Sequence, residues 1–149
     1  WGVIRPLQGT IKTLIARNKK NRQLMMVSDF NGKKAITNYK TIKVFNIKDI
    51  PTISLVECEL ETGRTHQIRV HMKYKGTSLL GDNQYGKKNI KFKKINEDFL
   101  NKLTFLNGQA LHAKSLGFIH PSKKKWVNFE SELPSDFKKL LNLLKKLSG

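Results

Sequence analysis

Two arginines and two histidines stand close together in one short segment, ETGRTHQIRVHM. They are Arg64, His66, Arg69 and His71. An arginine guanidinium is planar and keeps its charge when it is partly buried, so it can bind a carboxylate or a phosphate through two hydrogen bonds. Because only five of the 29 basic residues are arginine, two arginines in this segment indicate a site for an oxyanion.

The histidines do not indicate a metal site. On a helix, His66 and His71 would point about 140° away from each other. This spacing excludes the HExxH type of zinc site, and the single cysteine, Cys58, excludes a zinc ribbon. No glycine-rich loop has the spacing of a phosphate-binding or dinucleotide-binding loop, and no serine or cysteine has the setting of a nucleophile. We therefore expect no metal ion and no organic cofactor.

The local pattern places the segment at a turn followed by a short helix. A turn at Gly63 leads into apolar residues with helical spacing, which predicts a helix over residues 65–75. On this helix His66, Arg69 and Lys73 share one narrow basic stripe.

Two kinds of partner fit the arginines of this segment. The first turn of a helix presents free N–H groups and the positive end of the helix dipole, which suit a phosphate or a carboxylate of a ligand. Arg64 and Arg69 fit such a ligand, and they fit acidic side chains elsewhere in the fold equally well. The residues alone leave both interpretations open.

The segments before this helix have the patterns of β-strands, and they cover residues 9–18, 24–28, 35–41 and 53–61. Asn31-Gly32 is a hairpin signal between the second and the third of them. Together they predict an antiparallel meander with one face exposed to water.

A second group of elements is predicted after the helix: a helix over residues 97–106, hairpin strands over 109–119 and 126–131, and a helix from Pro134. The last helix has an apolar stripe made of Phe137, Leu140, Leu141, Leu144 and Leu147. A lysine-rich insertion from Lys87 to Lys94 fits a solvated loop or an RNA contact. We predict one α+β domain with a mixed, mainly antiparallel β-sheet flanked by helices.

The charge of the chain favours a nucleic acid as partner. The 149 residues carry a formal net charge of +18, with a pI near 10.2, and basic side chains near phosphates release condensed counterions. A lysine-rich composition can also reflect the base composition of a genome. The charge alone does not identify which nucleic acid the chain would bind. No apolar run approaches the roughly 18 residues of a membrane span. We expect a cytoplasmic protein without a membrane partner.

Several motifs follow one another in an order that resembles one enzyme family. These motifs are LETGRTHQIRVHMKYKG and LLGDNQYG, then QALHAKSLGFIHP and FESELPSDFKKLL, and upstream GTIKTLIARNKKNRQLMMV with GKKAITNY. They resemble the motifs of the RluA/RluD-type pseudouridine synthases, which isomerise specific uridines in structured RNA. The resemblance covers nearly the whole chain and implies the C-terminal part of that family's catalytic fold.

The resemblance implies a catalytic role for Arg69. This residue matches the family arginine that pairs with the catalytic aspartate. Such a pairing would keep the aspartate ionised in a water-poor pocket and hold its carboxylate in place for attack on the uridine.

The resemblance implies substrate-binding roles for three other residues. Arg64 and His66 match motif positions suited to contacts with the RNA backbone or to structural contacts. Leu111 stands where the family presents an apolar side chain to the target uracil, although a plain core leucine explains it equally well. Asp82, in the LGD turn, matches a position that we expect to support the pocket.

The chain departs from the family in one respect. The family carries the catalytic aspartate in an HRLD-type motif, followed by a tyrosine that packs on the base, and neither is found in residues 1–149. The chain also opens with the apolar WGVI, as if inside a β element. We therefore expect residues 1–149 to be the C-terminal portion of a catalytic domain that is inactive by itself.

The resemblance predicts part of an isomerase that converts uridine to pseudouridine in 23S ribosomal RNA, with transfer RNA still open as the substrate. We expect a monomer. The reaction breaks the N-glycosidic bond of uracil, rotates the base and rejoins it through carbon, without a metal or an organic cofactor. The alternative is a basic RNA-binding module without catalysis, for which the charge of +18 would be a sufficient explanation.

Overall fold

Four antiparallel strands form the main sheet of this computed structural model, which describes residues 1–86 and 97–149. The strands are β1 (Gln8–Arg17), β2 (Met25–Ser28), β3 (Lys33–Phe45) and β4 (Ile53–Leu60). Their order in the sheet is β2-β1-β3-β4. The predicted lysine-rich insertion, Lys87 to Lys94, lies outside the described residues.

The prediction of a meander is wrong, because β2 and β3 do not pair with each other. Both pair with β1, so that Leu14 stands opposite Ser28 on one side and opposite Lys34 on the other. Asn31-Gly32 therefore lies in a connection that crosses β1 near Leu14 and Ile15 instead of reversing the chain into a hairpin. A Cβ atom on Gly32 would lie 2.6 Å from the carbonyl oxygen of Ile15, so this crossing requires glycine.

One face of the sheet is covered by α1 (Gln67–Tyr74). Apolar side chains of β1 and β3 pack there against the helix and against Tyr85. They form two small clusters, which include Ile11, Tyr39 and Met72 in one and Ile15, Ala35, Val70 and Tyr85 in the other. The sheet thus fixes the position of α1 and of the residues that the helix carries.

The helix α1 begins two residues later than predicted, at Gln67 instead of Thr65. His66 precedes it with left-handed backbone angles, φ 56° and ψ 23°. The backbone N–H of Gln67 donates to the carbonyl of Arg64, so these residues form a tight turn before the helix. The predicted stripe therefore holds only Arg69 and Lys73 on the helix, and the placement of His66 within it was wrong.

The remaining elements follow α1 along the chain. They are α2 (Glu97–Lys102), the paired strands β5 (Ser115–Ile119) and β6 (Trp126–Glu130), and α3 (Ser135–Leu147). The predicted strand over residues 109–119 was too long, because its first part instead binds the turn after α1: the N–H of Ala110 donates to the carbonyl of Leu80. The apolar stripe of α3 is confirmed, with Leu140 and Leu144 buried in the third core cluster.

The β5–β6 hairpin forms a separate two-stranded sheet with many exposed apolar side chains. Leu116 faces Phe129 and Phe118 faces Val127 across the strands, so these four share one face. Leu116 is 61% exposed and Phe129 is 59% exposed. The hairpin therefore contributes little to the core of the described residues.

The prediction of an α+β fold with a mainly antiparallel sheet is confirmed. Within the ranges 1–86 and 97–149, the helices are too short or too polar to cross a membrane.

Candidate functional site

The guanidinium of Arg69 is held by the carboxylate of Asp82. Nε of Arg69 donates to Oδ2 of Asp82 and Nη2 donates to Oδ1, both at 2.8 Å. The Asp82 side chain has no exposed surface, and that of Arg69 is 10% exposed. The pair therefore has the two parallel hydrogen bonds that make arginine–carboxylate contacts strong and specific in direction.

Sequence reasoning had left the partner of Arg69 open between a ligand and an acid elsewhere in the fold. In the described residues the acid is Asp82, thirteen positions further along the chain. The pairing of Arg69 with an aspartate of an HRLD-type motif, which this chain does not contain, stays a prediction.

The aromatic ring of Tyr85 contacts the guanidinium of this ion pair. The Cζ atom of Arg69 lies 4.7 Å from the centroid of the Tyr85 ring, within the range of a cation–π interaction. The Tyr85 hydroxyl accepts a hydrogen bond from the N–H of Met25 and is hydrogen-bonded to Nδ1 of His66, both at 2.8 Å. Sequence reasoning gave Tyr85 no role, although it belongs to the LLGDNQYG motif.

The carboxylate of Asp82 is stabilised in its charged form. Burial by itself would raise the pKa of Asp82, but hydrogen bonds from Arg69 and from the N–H groups of Tyr85 and Gln84 lower it below its usual value. The hydrogen bond to Asp82 in turn raises the pKa of Arg69. Both groups therefore stay ionised at neutral pH.

His66 stands at the turn beside the same tyrosine. Its ring meets the Tyr85 ring edge to face, with centroids 5.5 Å apart. Partial burial, followed by the charge of Arg69, lowers the pKa of His66, so the imidazole is neutral near pH 7. A left-handed backbone at a residue other than glycine costs about 1–3 kcal/mol and persists only where the surroundings hold it. Here the hydrogen bond to Tyr85 contributes to that support.

Gln67 ties the turn that carries Arg64 to strand β3. Its Oε1 accepts from the hydroxyl of Thr62 at 2.8 Å and from the N–H of Arg64 at 3.0 Å. Its Nε2 donates to the carbonyl of Ile36 and to the hydroxyl of Thr37. Every hydrogen-bonding atom of this buried amide therefore has a partner, and sequence reasoning missed it because its β3 partners lie some thirty positions away.

Arg64 lies close to strand β3. Its Nε donates to the backbone carbonyl of Lys34 at 2.9 Å. Arg64 and Arg69 therefore lie in different settings, the former against the backbone of a strand and the latter in a buried ion pair. The role of Arg64 in RNA binding stays a prediction.

His71 is fully buried between two threonine hydroxyls. Nδ1 is joined to Oγ1 of Thr37 at 2.8 Å and Nε2 to Oγ1 of Thr13 at 2.9 Å. Burial lowers the pKa of His71. This histidine therefore links α1 to β1 and β3 as a neutral ring, and it does not face the ion pair of Arg69 and Asp82 in any described hydrogen bond.

Leu111 stands apart from the other predicted site residues. Its side chain is 40% exposed, so it does not belong to the core of this chain. The described hydrogen bonds, ion pairs and ring contacts do not join it to Arg64, His66 or Arg69. Its contact with the target uracil stays a prediction.

In the part of the chain that the structure describes, no three His, Cys, Asp or Glu side chains are grouped so that they could hold a metal ion.

Sequence comparison relates the chain to known proteins. A family model described as RNA pseudouridylate synthase matches residues 3–74, which include Arg64, His66 and Arg69. "Ribosomal large subunit pseudouridine synthase D" of Zymomonas mobilis is 48% identical over 139 residues, covering 93% of this chain and 41% of the relative. "Uncharacterized RNA pseudouridine synthase YlyB" of Bacillus subtilis is 46% identical over 146 residues, covering 97% of this chain and 42% of the relative. The chain thus spans less than half the length of these curated relatives.

Structure comparison shows the same fold. The solved structure of human RNA Pseudouridylate Synthase Domain Containing 1 superposes with a TM-score of 0.69 at 22% sequence identity, covering 97% of this chain and 62% of that chain. This likeness concerns the fold alone.

Proposed function

Because this chain belongs to the RNA pseudouridylate synthase family, we propose that it forms part of an enzyme that isomerises uridine to pseudouridine in RNA. The observation that carries this proposal is the ETGRTHQIRVHM segment, in which a family arginine, Arg69, is fixed at a slightly exposed position. The chain would supply the arginine side of the active site. Residues 1–149 contain no HRLD-type motif, so the catalytic aspartate would be supplied from outside them.

Arg69 would act on the reaction through charge and position. A guanidinium beside the catalytic carboxylate favours its ionised form and holds it in line with the sugar or the base. The carboxylate starts the sequence in which the N-glycosidic bond breaks, the base turns and a carbon–carbon bond forms. Asp82 does not fit the role of this carboxylate, because both of its oxygens are already bound and its side chain is wholly buried.

Large-subunit ribosomal RNA is the proposed substrate. The Zymomonas mobilis relative is named as a pseudouridine synthase of the ribosomal large subunit, and the charge of +18 on this chain suits a polyanion. Arg64 and His66 are proposed to contact the RNA near the pocket, and Leu111 to contact the uracil. We further propose that the enzyme works in the cytoplasm as a monomer. A target base inside a helix must leave its stack, so a looped region of RNA suits this reaction best.

The test compares the full-length protein that contains this chain with residues 1–149 alone. Each is incubated with 23S ribosomal RNA labelled with tritium at carbon 5 of uridine, and tritium release is measured. The full-length protein should release tritium, while the isolated chain should bind RNA in a salt-dependent way and release none. No release by the full-length protein would reject the proposed function on large-subunit ribosomal RNA, and release by the pure chain would reject its proposed inactivity.

The charge of the chain also favours a second candidate, a basic RNA-binding module without catalysis. The same assay separates the two. A full-length protein that binds RNA tightly and forms no pseudouridine in any fraction of that RNA would support the module.

A further inference from the structure

We infer that Asp82 is a positioning residue, which orients the guanidinium of Arg69 so that only its Nη1 side remains available to the reacting carboxylate. This inference rests on the proposed function, because it takes Arg69 as the partner of that carboxylate. It adds a residue to the site and a direction from which the carboxylate must approach.

The hydrogen bonds of Arg69 define which donors remain available. Nε and one hydrogen of Nη2 are bound by the two oxygens of Asp82. Nη2 also donates to Oε1 of Gln84 at 2.8 Å. A guanidinium has five N–H donors, and the two on Nη1 have no acceptor among the described residues. A second carboxylate can therefore reach this arginine only at Nη1.

The position of Asp82 is itself fixed by the backbone. Its Oδ1 accepts from the N–H of Gln84 at 3.1 Å and from the N–H of Tyr85 at 3.0 Å. The preceding residue, Gly81, has φ 72°, and a Cβ atom there would collide with the carbonyl of Gly108. The turn around Asp82 is thus closely packed, and its carboxylate cannot shift without losing several hydrogen bonds.

Tyr85 and Asp82 constrain the guanidinium in different ways. The centroid of the Tyr85 ring lies 4.7 Å from Cζ of Arg69 and limits movement of the guanidinium towards the ring, but this contact does not stop rotation of the guanidinium within its own plane. The two hydrogen bonds to Asp82 stop that rotation. Together the two residues leave one orientation, in which Nη1 points away from Asp82.

A purely structural ion pair is the competing explanation. A buried ion pair is weak support for a stabilising role, because the desolvation of two charges offsets much of their attraction. A structural role predicts that loss of Asp82 affects folding and affects catalysis independently of Arg69. A positioning role predicts that loss of Asp82 matters for catalysis only while Arg69 is present.

The test is a double-mutant cycle in the full-length protein, with kcat, KM and the unfolding temperature measured for each variant. Asp82→Asn puts an amide N–H opposite the donors of Arg69, so kcat should fall about 100-fold, as expected for a misplaced reacting group, with KM within about threefold. Asp82→Glu, which keeps the charge, should recover part of the lost kcat. In an Arg69→Lys background, Asp82→Asn should lower kcat by less than about threefold.

Gln84→Ala is a second variant, at an exposed residue of the same turn. It tests the positioning role of this turn if Asp82→Asn does not fold. Loss of one hydrogen bond to the guanidinium should lower kcat about fivefold. Asn83→Ala, the exposed neighbour, is the matched control and should leave kcat unchanged. Equal losses from Asp82→Asn in both backgrounds, or an unchanged kcat in Gln84→Ala, would overturn the inference. A wild-type protein without pseudouridine formation would overturn the proposed function first, and this inference with it.

Discussion

The region around α1 and the β5–β6 hairpin differ in which side chains they bury. Around α1, polar groups are buried, and Gln67, Arg69, His71 and Asp82 each have hydrogen-bond partners. In the hairpin, apolar groups lie at the surface, and Trp126 is 67% exposed. Buried polar groups require exact partners, whereas an exposed two-stranded sheet gains little from its own packing. We therefore expect the first region to tolerate few substitutions and the hairpin to tolerate many within this chain.

The largest effect should come from Arg69→Lys in the full-length protein. Lysine keeps the charge but lacks the fork that binds Asp82 and a second carboxylate together, so kcat should fall about 1000-fold. Arg64→Lys, against the strand backbone, should lower kcat by less than about tenfold. Tritium release under single-turnover conditions measures both. Equal losses would show that the two arginines do not have separate roles.

Gln67→Ala should cause the next largest effect, on stability. It leaves the N–H of Arg64 and the hydroxyl hydrogen of Thr62 without their acceptor, so the free energy of unfolding should fall by about 3 kcal/mol. Urea unfolding of the 149-residue chain, followed by circular dichroism, measures the change. A loss below about 1 kcal/mol would mean that water replaces the amide, and the contrast with the hairpin would then be lost.

The pH dependence of stability should also originate in the region around α1. Burial lowers the pKa of His71 in the folded state, so protons bind the unfolded chain more readily, and the stability present above about pH 6.5 is lost as the pH falls towards the folded pKa. The free energy of unfolding should decrease by about 1 kcal/mol between pH 7.5 and 5.5. His71→Gln should reduce this slope, with His66 supplying a remaining part. Trp126→Ala in the hairpin is the control and should keep the wild-type slope.

Leu116→Ala in the hairpin should have the smallest effect. The side chain is already 61% exposed, so the free energy of unfolding of the chain should change by no more than about 0.5 kcal/mol. Urea unfolding in the same buffer as for Gln67→Ala allows direct comparison. A loss above about 2 kcal/mol, typical of a packed leucine, would show that the hairpin is part of the core.

The periodicity of apolar residues was sufficient to predict many of the helices and strands. The strands of the main sheet, α1 and the apolar stripe of α3 were predicted to within a few residues because their side chains alternate or recur along the chain itself. The order of the strands was not predicted correctly, because Asn31-Gly32 has the composition of a hairpin turn. Nothing in the local sequence shows that β3 pairs with the free edge of β1 instead of with β2.

The site residues that lie in a sequence motif could be predicted, but the contacts between them and distant residues could not. Arg64, His66 and Arg69 were singled out by type and spacing, and the possibility of an acidic partner for Arg69 was noted. That the acid is Asp82, and that Tyr85 lies beneath the pair, depends on a turn folded back over α1. The left-handed backbone of His66 was also missed, because helical spacing continues through a turn of this kind.

The central place of β1 in the sheet has a consequence for the order of folding. β1 meets β2 across the short loop between Arg17 and Met25, whereas its pairs with β3 join residues as far apart as Gln8 and Lys40. Short loops close sooner than long ones, so we expect the β1–β2 hairpin to nucleate and β3 to add to its open edge later. Ile36 and Thr37, which anchor Gln67, come with β3, so the turn before α1 can reach its native form only after the sheet is nearly complete.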